Sequence, residues 1–271
     1  MNAFPVFPSA GRIGLLGVAF DQNSSYQRGA AGAPQRIRNA FFCDSSKLWS
    51  ENETNLGAEG IFTDMGDISP EPSQLLAETE RAAGQLYESG LKVIAFGGDH
   101  SVTFPLVKAA AKTHRNLSIL HFDAHPDLYD DFEGNPHSHA SPFARIMESG
   151  LAKRLVQVGI RTINGHQRAQ AQRFGVEVLT MQRWRDIFDV RWDSPLYISF
   201  DMDCLDPAFA PGISHREPGG LSTREVLSII QSLNADIIGA DIVEYNPEMD
   251  INSTTDMVAA KVFKEIAAIM L

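Results

Sequence analysis

The chain has 271 residues, 44% of them hydrophobic, and a formal net charge of -11. The apolar fraction is enough for a buried core, the length fits one large α/β domain over residues 1–271, and the acidic balance argues against a nucleic-acid partner. Cys43 and Cys204 are too few and too far apart for a disulfide framework or a thiolate zinc site, and no apolar run reaches ~18 residues, so a reducing, cytoplasmic setting without membrane or secretion is expected.

Residues 12–20 read as the first buried strand, ending at Asp21, and its Gly14 and Gly17 do not form G-x-G-x-x-G. Residues 23–33 read as a loop, and 34–42 as a helix with Pro34 in its first turn. Residues 52–67 read as irregular around Ile61 and Phe62. Residues 69–89 read as a helix with Pro70 and Pro72 near its start, apolar positions Leu75, Leu76, Ala83 and Leu86, and Gly90 as its stop. Strands follow at 91–96, 117–122, 155–159, 176–179, 196–200 and 237–243. Helices are predicted at 104–113, 142–148, 165–174, 222–233 and 254–269, with a polar loop over 127–141 carrying His137 and His139. Alternating strands and helices predict a mainly parallel sheet between helical layers, a three-layer α/β/α fold whose ligands bind beyond the carboxyl ends of the strands.

Those ends carry the chemistry. The strand at 117–122 runs into Asp123, His125 and Asp127, each two residues apart, so an extended chain would aim them alike. Carboxylates and imidazole aimed at one point require a cation. His100 follows Phe96-Gly97-Gly98-Asp99, and Asp201 and Asp203 follow Ser199-Phe200. Four carboxylates and two imidazoles are too many for one tetrahedral zinc and suit two divalent cations sharing carboxylates; the lack of thiolates favours manganese over zinc, with iron, cobalt and nickel as alternatives. Asp206 reads as a turn residue and Cys204 as a small buried one.

These residues resemble the ureohydrolase family of arginases, agmatinases and their relatives. The matching motifs are Gly97-Gly98-Asp99-His100-Ser101, Asp123-Ala124-His125-Pro126-Asp127, His139-Ala140-Ser141-Pro142-Phe143 and Ser199 through Pro207, with Gly159-Ile160-Arg161 and Asp241-Ile242-Val243-Glu244 outside them. Asn23-Ser24-Ser25, Phe132-Glu133-Gly134-Asn135 and Pro211-Gly212-Ile213-Ser214-His215 follow the style of plant-type arginases, although the chain begins at the domain without their organelle-targeting extension. The resemblance implies a hydrolase with two Mn2+ per chain that releases urea from a small guanidino substrate. It implies metal ligation by His100, Asp123, His125, Asp127, Asp201 and Asp203, proton transfer by His139, a guanidinium bound to Glu244, and a homo-oligomer, trimer or hexamer. On sequence alone His137 competes with His139, and only the family register selects between them.

In that reading two cations sharing a water lower its pKa and leave a hydroxide, Asp127 accepts the hydroxide's proton to aim its lone pair, and His139 protonates the departing amine. Asn135 and His215 are candidates for the substrate rim. L-arginine is the expected substrate, with agmatine or 4-guanidinobutyrate as alternatives, because Tyr129, Asn135 and Asn164 stand where animal-type arginases have their amino-acid-holding residues. A single-zinc deacetylase would need only one Asp-His-Asp set, and a non-catalytic metal-binding protein would tolerate the loss of a ligand; neither feature is present.

Overall fold

The computed structural model describes residues 12–271, so the first eleven positions of the expected domain lie outside the described residues. Its strands are β1 (Ile13–Val18), β2 (Phe62–Ile68), β3 (Lys92–Phe96), β4 (Leu117–Phe122), β5 (Ala152–Ile160), β6 (Glu177–Thr180), β7 (Leu196–Asp201) and β8 (Ile237–Val243). Its α-helices are α1 (Ala33–Phe41), α2 (Leu75–Glu88), α3 (Thr103–Thr113), α4 (Pro142–Glu148), α5 (Gly165–Phe174), α6 (Thr223–Ser232) and α7 (Thr254–Met270). The strands form one eight-stranded sheet in the order β2-β1-β3-β8-β7-β4-β5-β6, and every pairing between them is parallel.

Period two in the strands sorts side chains onto two apolar layers. Ile13 and Leu15 of β1, Ile94 and Phe96 of β3, and Leu120 and Phe122 of β4 pack with α1, α6 and α7, where Phe41 and Phe263 meet edge to face. Leu16 and Val18, Val93 and Ala95, and Leu117 and Ile119 face the other way, toward α2, α3 and α4. The three-layer α/β/α arrangement is therefore present, with a sheet that is wholly rather than mainly parallel.

Two expectations need correction. Residues 62–67, part of the stretch expected to be irregular, belong to the edge strand β2, whose Phe-Thr-Asp-Met-Gly-Asp-Ile sequence lacks an apolar alternation. Arg38 of α1 is buried and donates to both carboxylate oxygens of Asp64, at 2.8 and 2.9 Å, and to Asp67. Helix α2 begins at Leu75 and not at residue 69. Pro70 and Pro72 each push the preceding residue toward extended backbone, which delays helix entry until the chain has cleared both rings.

The central strands β3, β8, β7 and β4 are neighbours, although the chain visits them in the order β3, β4, β7, β8. This crossover is where an open parallel sheet leaves a crevice at its carboxyl edge. Gly98 closes that edge. Asp99 N–H donates to the Phe20 carbonyl at 2.8 Å, and Glu244 N–H donates to the Gly98 carbonyl at 2.9 Å, so the turn after β3 is stitched to β1 on one side and β8 on the other. A Cβ at Gly98 would run into the Phe20 backbone. Gly98→Ala should destabilise the protein by about 3 kcal/mol, the upper end of overpacking costs. Urea unfolding with chelator present, which removes any metal contribution, measures this; an unchanged midpoint would show that the turn can give way.

Candidate metal centre and cavity

Four adjacent strand ends bring the predicted site residues together. The turn after β3 supplies His100, β4 leads into Asp123, His125 and Asp127, β7 ends in Asp201 with Asp203 just beyond, and β8 leads into Glu244. Asp127 and Glu244 both have left-handed backbone, with φ of 49° and 61°. Non-glycine residues occupy that region at a cost, and such strain gathers where a side chain must be aimed.

His100 is fully buried. Its Nε2 lies 3.0 Å from Ser199 Oγ, and that hydroxyl in turn donates to Asp241 Oδ1 at 2.7 Å. With Ser199 committed as donor to Asp241, His100 must carry its proton on Nε2. The lone pair on Nδ1 then faces three carboxylate oxygens: Asp127 Oδ2 at 3.0 Å, Asp201 Oδ2 at 3.1 Å and Asp123 Oδ2 at 3.4 Å. Among the described residues Nδ1 has no hydrogen-bond partner. A lone pair surrounded by anionic oxygens in a buried site is unstable unless a cation occupies the space between them.

A second group lies beside the first. His125 Nδ1 is 3.0 Å from Asp203 Oδ2 and 3.3 Å from Asp123 Oδ1. Asp123 thus offers Oδ2 to the first group and Oδ1 to the second, the geometry of a bridging carboxylate. Burial and the charges of Asp203 and Asp123 push Asp201 well above the usual carboxylate range, a measure of how crowded the anions are. The donor set, nitrogen and oxygen without sulfur, fits borderline or hard divalent cations.

Sequence reasoning missed the residues that hold these donors. His121, buried on β4, approaches Asp123 Oδ2 with Nε2 at 2.7 Å, while the Gln157 amide donates to His121 Nδ1 at 3.0 Å and to the Pro126 carbonyl at 2.6 Å. Its parity with Asp123 and His125 was the available signal. Asp241 holds both Ser199 and, through Oδ2, the Tyr197 hydroxyl at 2.9 Å; nothing local to the sequence marks that pairing.

A cavity of about 160 Å³ opens over the donors. Its inner wall includes His125, Asp127, Asp201, Asp203, His139 and Glu244, and its outer wall Ser25, Tyr129, Phe132, Thr162, Gln167 and His215. His139 Nδ1 lies 3.0 Å from Glu244 Oε1, and the same oxygen accepts the His100 backbone N–H at 2.9 Å. Burial disfavours a charged His139, but its hydrogen bond to Glu244 and the charges of Glu244, Asp127 and Asp99 prevail and raise its pKa to about 9. His137 does not line this cavity: its ring stacks on Phe104 with centroids 6.0 Å apart. Asn135 does not line it either, since its side chain donates to Asn23 Oδ1 at 3.1 Å and accepts the His137 N–H at 2.9 Å, bracing the loop. His215 does, with its ring centroid 5.1 Å from that of His139. Asp206 is a turn residue, accepting from the N–H groups of Ala208, Gly219 and Gly220, and Cys204 is buried.

The chain is similar to known proteins over most of its length. Residues 11–268 match the Arginase family model. "Arginase 1, mitochondrial" of Arabidopsis thaliana is 47% identical over 94% of this chain and 80% of its own length. The guanidinopropionase of Pseudomonas aeruginosa is 33% identical over 97% of this chain and 88% of its own. The structure of the arginase from Medicago truncatula superposes with a TM-score of 0.92 at 43% identity, covering 97% of this chain and 89% of that one. The expectation of a cytoplasmic setting is corrected by the Arabidopsis relative, which is named mitochondrial. Two unpaired cysteines separate oxidising from reducing surroundings, but they do not tell one reducing compartment from another.

The donor geometry has a thermodynamic consequence. Manganese added to chelator-treated protein should raise Tm, with a stabilisation of about 2.7 kcal/mol at ~100-fold excess over Kd. Asp123→Ala, which removes the shared carboxylate, should abolish most of that rise; a rise equal to that of the unaltered protein would take Asp123 out of the donor set.

Proposed function

We propose that this chain, which belongs to the arginase family, hydrolyses L-arginine to L-ornithine and urea with two manganese ions bound at its strand ends. Membership makes it an amidinohydrolase, a metal-dependent hydrolase of small guanidino substrates. The observation that carries the choice of arginine is the 47% identity to a plant arginase over 94% of the chain. The reading takes residues 1–271 as one domain, and takes the chain to assemble as a trimer or hexamer, as the family resemblance implies.

His100, Asp123, Asp127 and Asp201 would hold one cation and His125, Asp123 and Asp203 would complete the second site, a division supported by their two clusters. Cations there supply Lewis acidity and turn water into a nucleophile near neutral pH. The chain's own residues do the rest. Glu244 accepts the planar N–H groups of the guanidinium and orients its carbon toward the donors. Asp127 accepts the second proton of the attacking water, after the first has been shed, and passes it to the departing nitrogen. His139, with Nδ1 beside the carboxylate that holds the guanidinium, protonates the departing nitrogen.

One observation favours agmatine as a second reading. Among the described residues, none that lines the cavity is Lys or Arg. Arg161, adjacent to Thr162, turns its guanidinium away to the carbonyls of Glu217 and Asp203, at 2.6 and 2.7 Å. An α-carboxylate would therefore be met by neutral donors such as Tyr129, Thr162 and Gln167, and a substrate lacking it loses little.

Urea release measured with L-arginine, agmatine and 4-guanidinobutyrate on manganese-loaded protein decides among these. The highest kcat/KM is expected with L-arginine; a higher value with agmatine overturns the substrate and leaves the mechanism, and no urea from any of them overturns both. His139→Ala should keep its metal while losing on the order of 10²–10⁴-fold in kcat, and full turnover in that variant would assign the proton to another group.

A further inference from the structure

His139 has two nitrogens with different surroundings. Nδ1 faces inward to Glu244 at 3.0 Å. Nε2 faces outward, 2.8 Å from Ser25 Oγ and 3.2 Å from the Ser25 backbone N–H. That N–H can only donate, so Nε2 accepts and the proton of the neutral ring sits on Nδ1. The ring is buried, at 8% exposure, whereas Ser25 is exposed and lines the cavity mouth. Beyond it stands His215, with Nε2 3.5 Å from the same hydroxyl.

Ser25 is held in this place from several sides. The Asn23 N–H donates to Asp99 Oδ2 at 2.9 Å, and the Asn23 side chain donates to Ser101 Oγ at 3.1 Å. The His139 N–H donates to the Asn23 carbonyl at 3.3 Å. The loop that carries Ser25 is thereby tied both to the turn bearing His100 and to the backbone of His139 itself.

From this geometry we infer that the Ser25 hydroxyl is the relay through which His139 exchanges protons with solvent during turnover. The inference rests on the proposed role of His139 as proton donor to the departing amine. Inward, Ser25 Oγ–H gives its proton to Nε2, and Oγ takes another from a solvent acid at the cavity mouth. The resulting imidazolium gives its Nδ1 proton to the departing nitrogen, which takes its other proton from Asp127 and leaves as an ammonium group. Outward, the proton shed by the next water returns to Nδ1, and Nε2 passes its own proton back through Ser25. One proton enters and one leaves in each cycle, which matches a reaction that converts guanidinium and water into urea and ammonium without net proton change.

The charged groups that bear on the imidazole are Glu244, Asp127 and Asp99, and the titratable neighbour on its outer side is His215. The anions all favour a protonated ring, so a ring cut off from solvent would be slow to shed its proton as well as to gain one. Ser25 acts through His139 and is a positioning and relay residue.

The test compares manganese-loaded wild type, Ser25→Ala and Ser25→Thr for kcat, KM, pH profile and metal content, with and without added imidazole. In Ser25→Ala, kcat should fall by at least about 10-fold, at the low edge of general acid–base effects, while KM and metal content hold. Ser25→Thr should restore kcat, and imidazole should raise kcat of Ser25→Ala without affecting wild type. Wild-type kcat in Ser25→Ala, or a loss that neither threonine nor imidazole recovers, overturns the relay. A wild type that releases no urea from any guanidino compound overturns the parent reading, and the relay with it; a wild type that releases urea alongside an unaffected Ser25→Ala removes the relay alone.

Discussion

Everything at the carboxyl edge of the sheet depends on keeping Asp123, Asp127, Asp201 and Asp203 together in a space that is almost dry. Like charges so placed repel strongly when water is excluded, and the three imidazoles beside them, His100, His121 and His125, do not balance four carboxylates, the more so because the lone pair of His100 Nδ1 also points inward. The fold tolerates this frustration because the surrounding layers are apolar and tightly packed, with Phe143 lying against both His100 and His121. It is directed by neutral or singly committed partners behind the donors: Ser199 behind His100, Gln157 and His121 behind Asp123, and backbone N–H groups on Asp201 and Asp203. Such partners fix tautomers and rotamers, so the donors are aimed before any cation arrives.

The same pre-aiming extends to the backbone. Asp127 and Glu244 both sit in left-handed conformations, and Glu244 is tied by its N–H to Gly98 and by its carboxylate to the His100 N–H. The turn after β3 therefore holds the carboxylate after β8, and each strand end is positioned by its neighbour in the sheet. A distant support matters too: Arg38, paired with Asp64 and Asp67, anchors α1 to the edge strand β2, and β2 in turn flanks β1, whose end meets Gly98.

The cavity is chemically two-sided. Its inner half is anionic and suited to a guanidinium under cations; its outer half is aromatic and neutral, with Tyr129 stacked on His166 and accepting the Asn164 amide at 2.6 Å. The outer half, held by the capping box of α5 through Asn164 and Gln167, is where substrates of different length and head group would be told apart.

Much of this was legible in the residues. The strands at 117–122 and 237–243 and the helices at 142–148 and 165–174 have the predicted bounds, because apolar periodicity and Pro or Gly punctuation are local signals. The clustering of His100, Asp123, His125, Asp127, Asp201 and Asp203 could be anticipated because parallel strands end on one edge. The edge strand β2 could not, since its acids make sense only beside an arginine from α1, 26 and 29 residues away. Nor could Ser25, which meets His139 across 114 residues through a loop with no periodicity, or Asp241, which reaches His100 only through a serine on the neighbouring strand. Sequence by itself determined which residues end strands and carry the chemistry, because those signals are local; tertiary structure decided which of them share a carboxylate, which histidine faces the cavity and what stands behind each one, because those depend on the order in which the strands lie side by side.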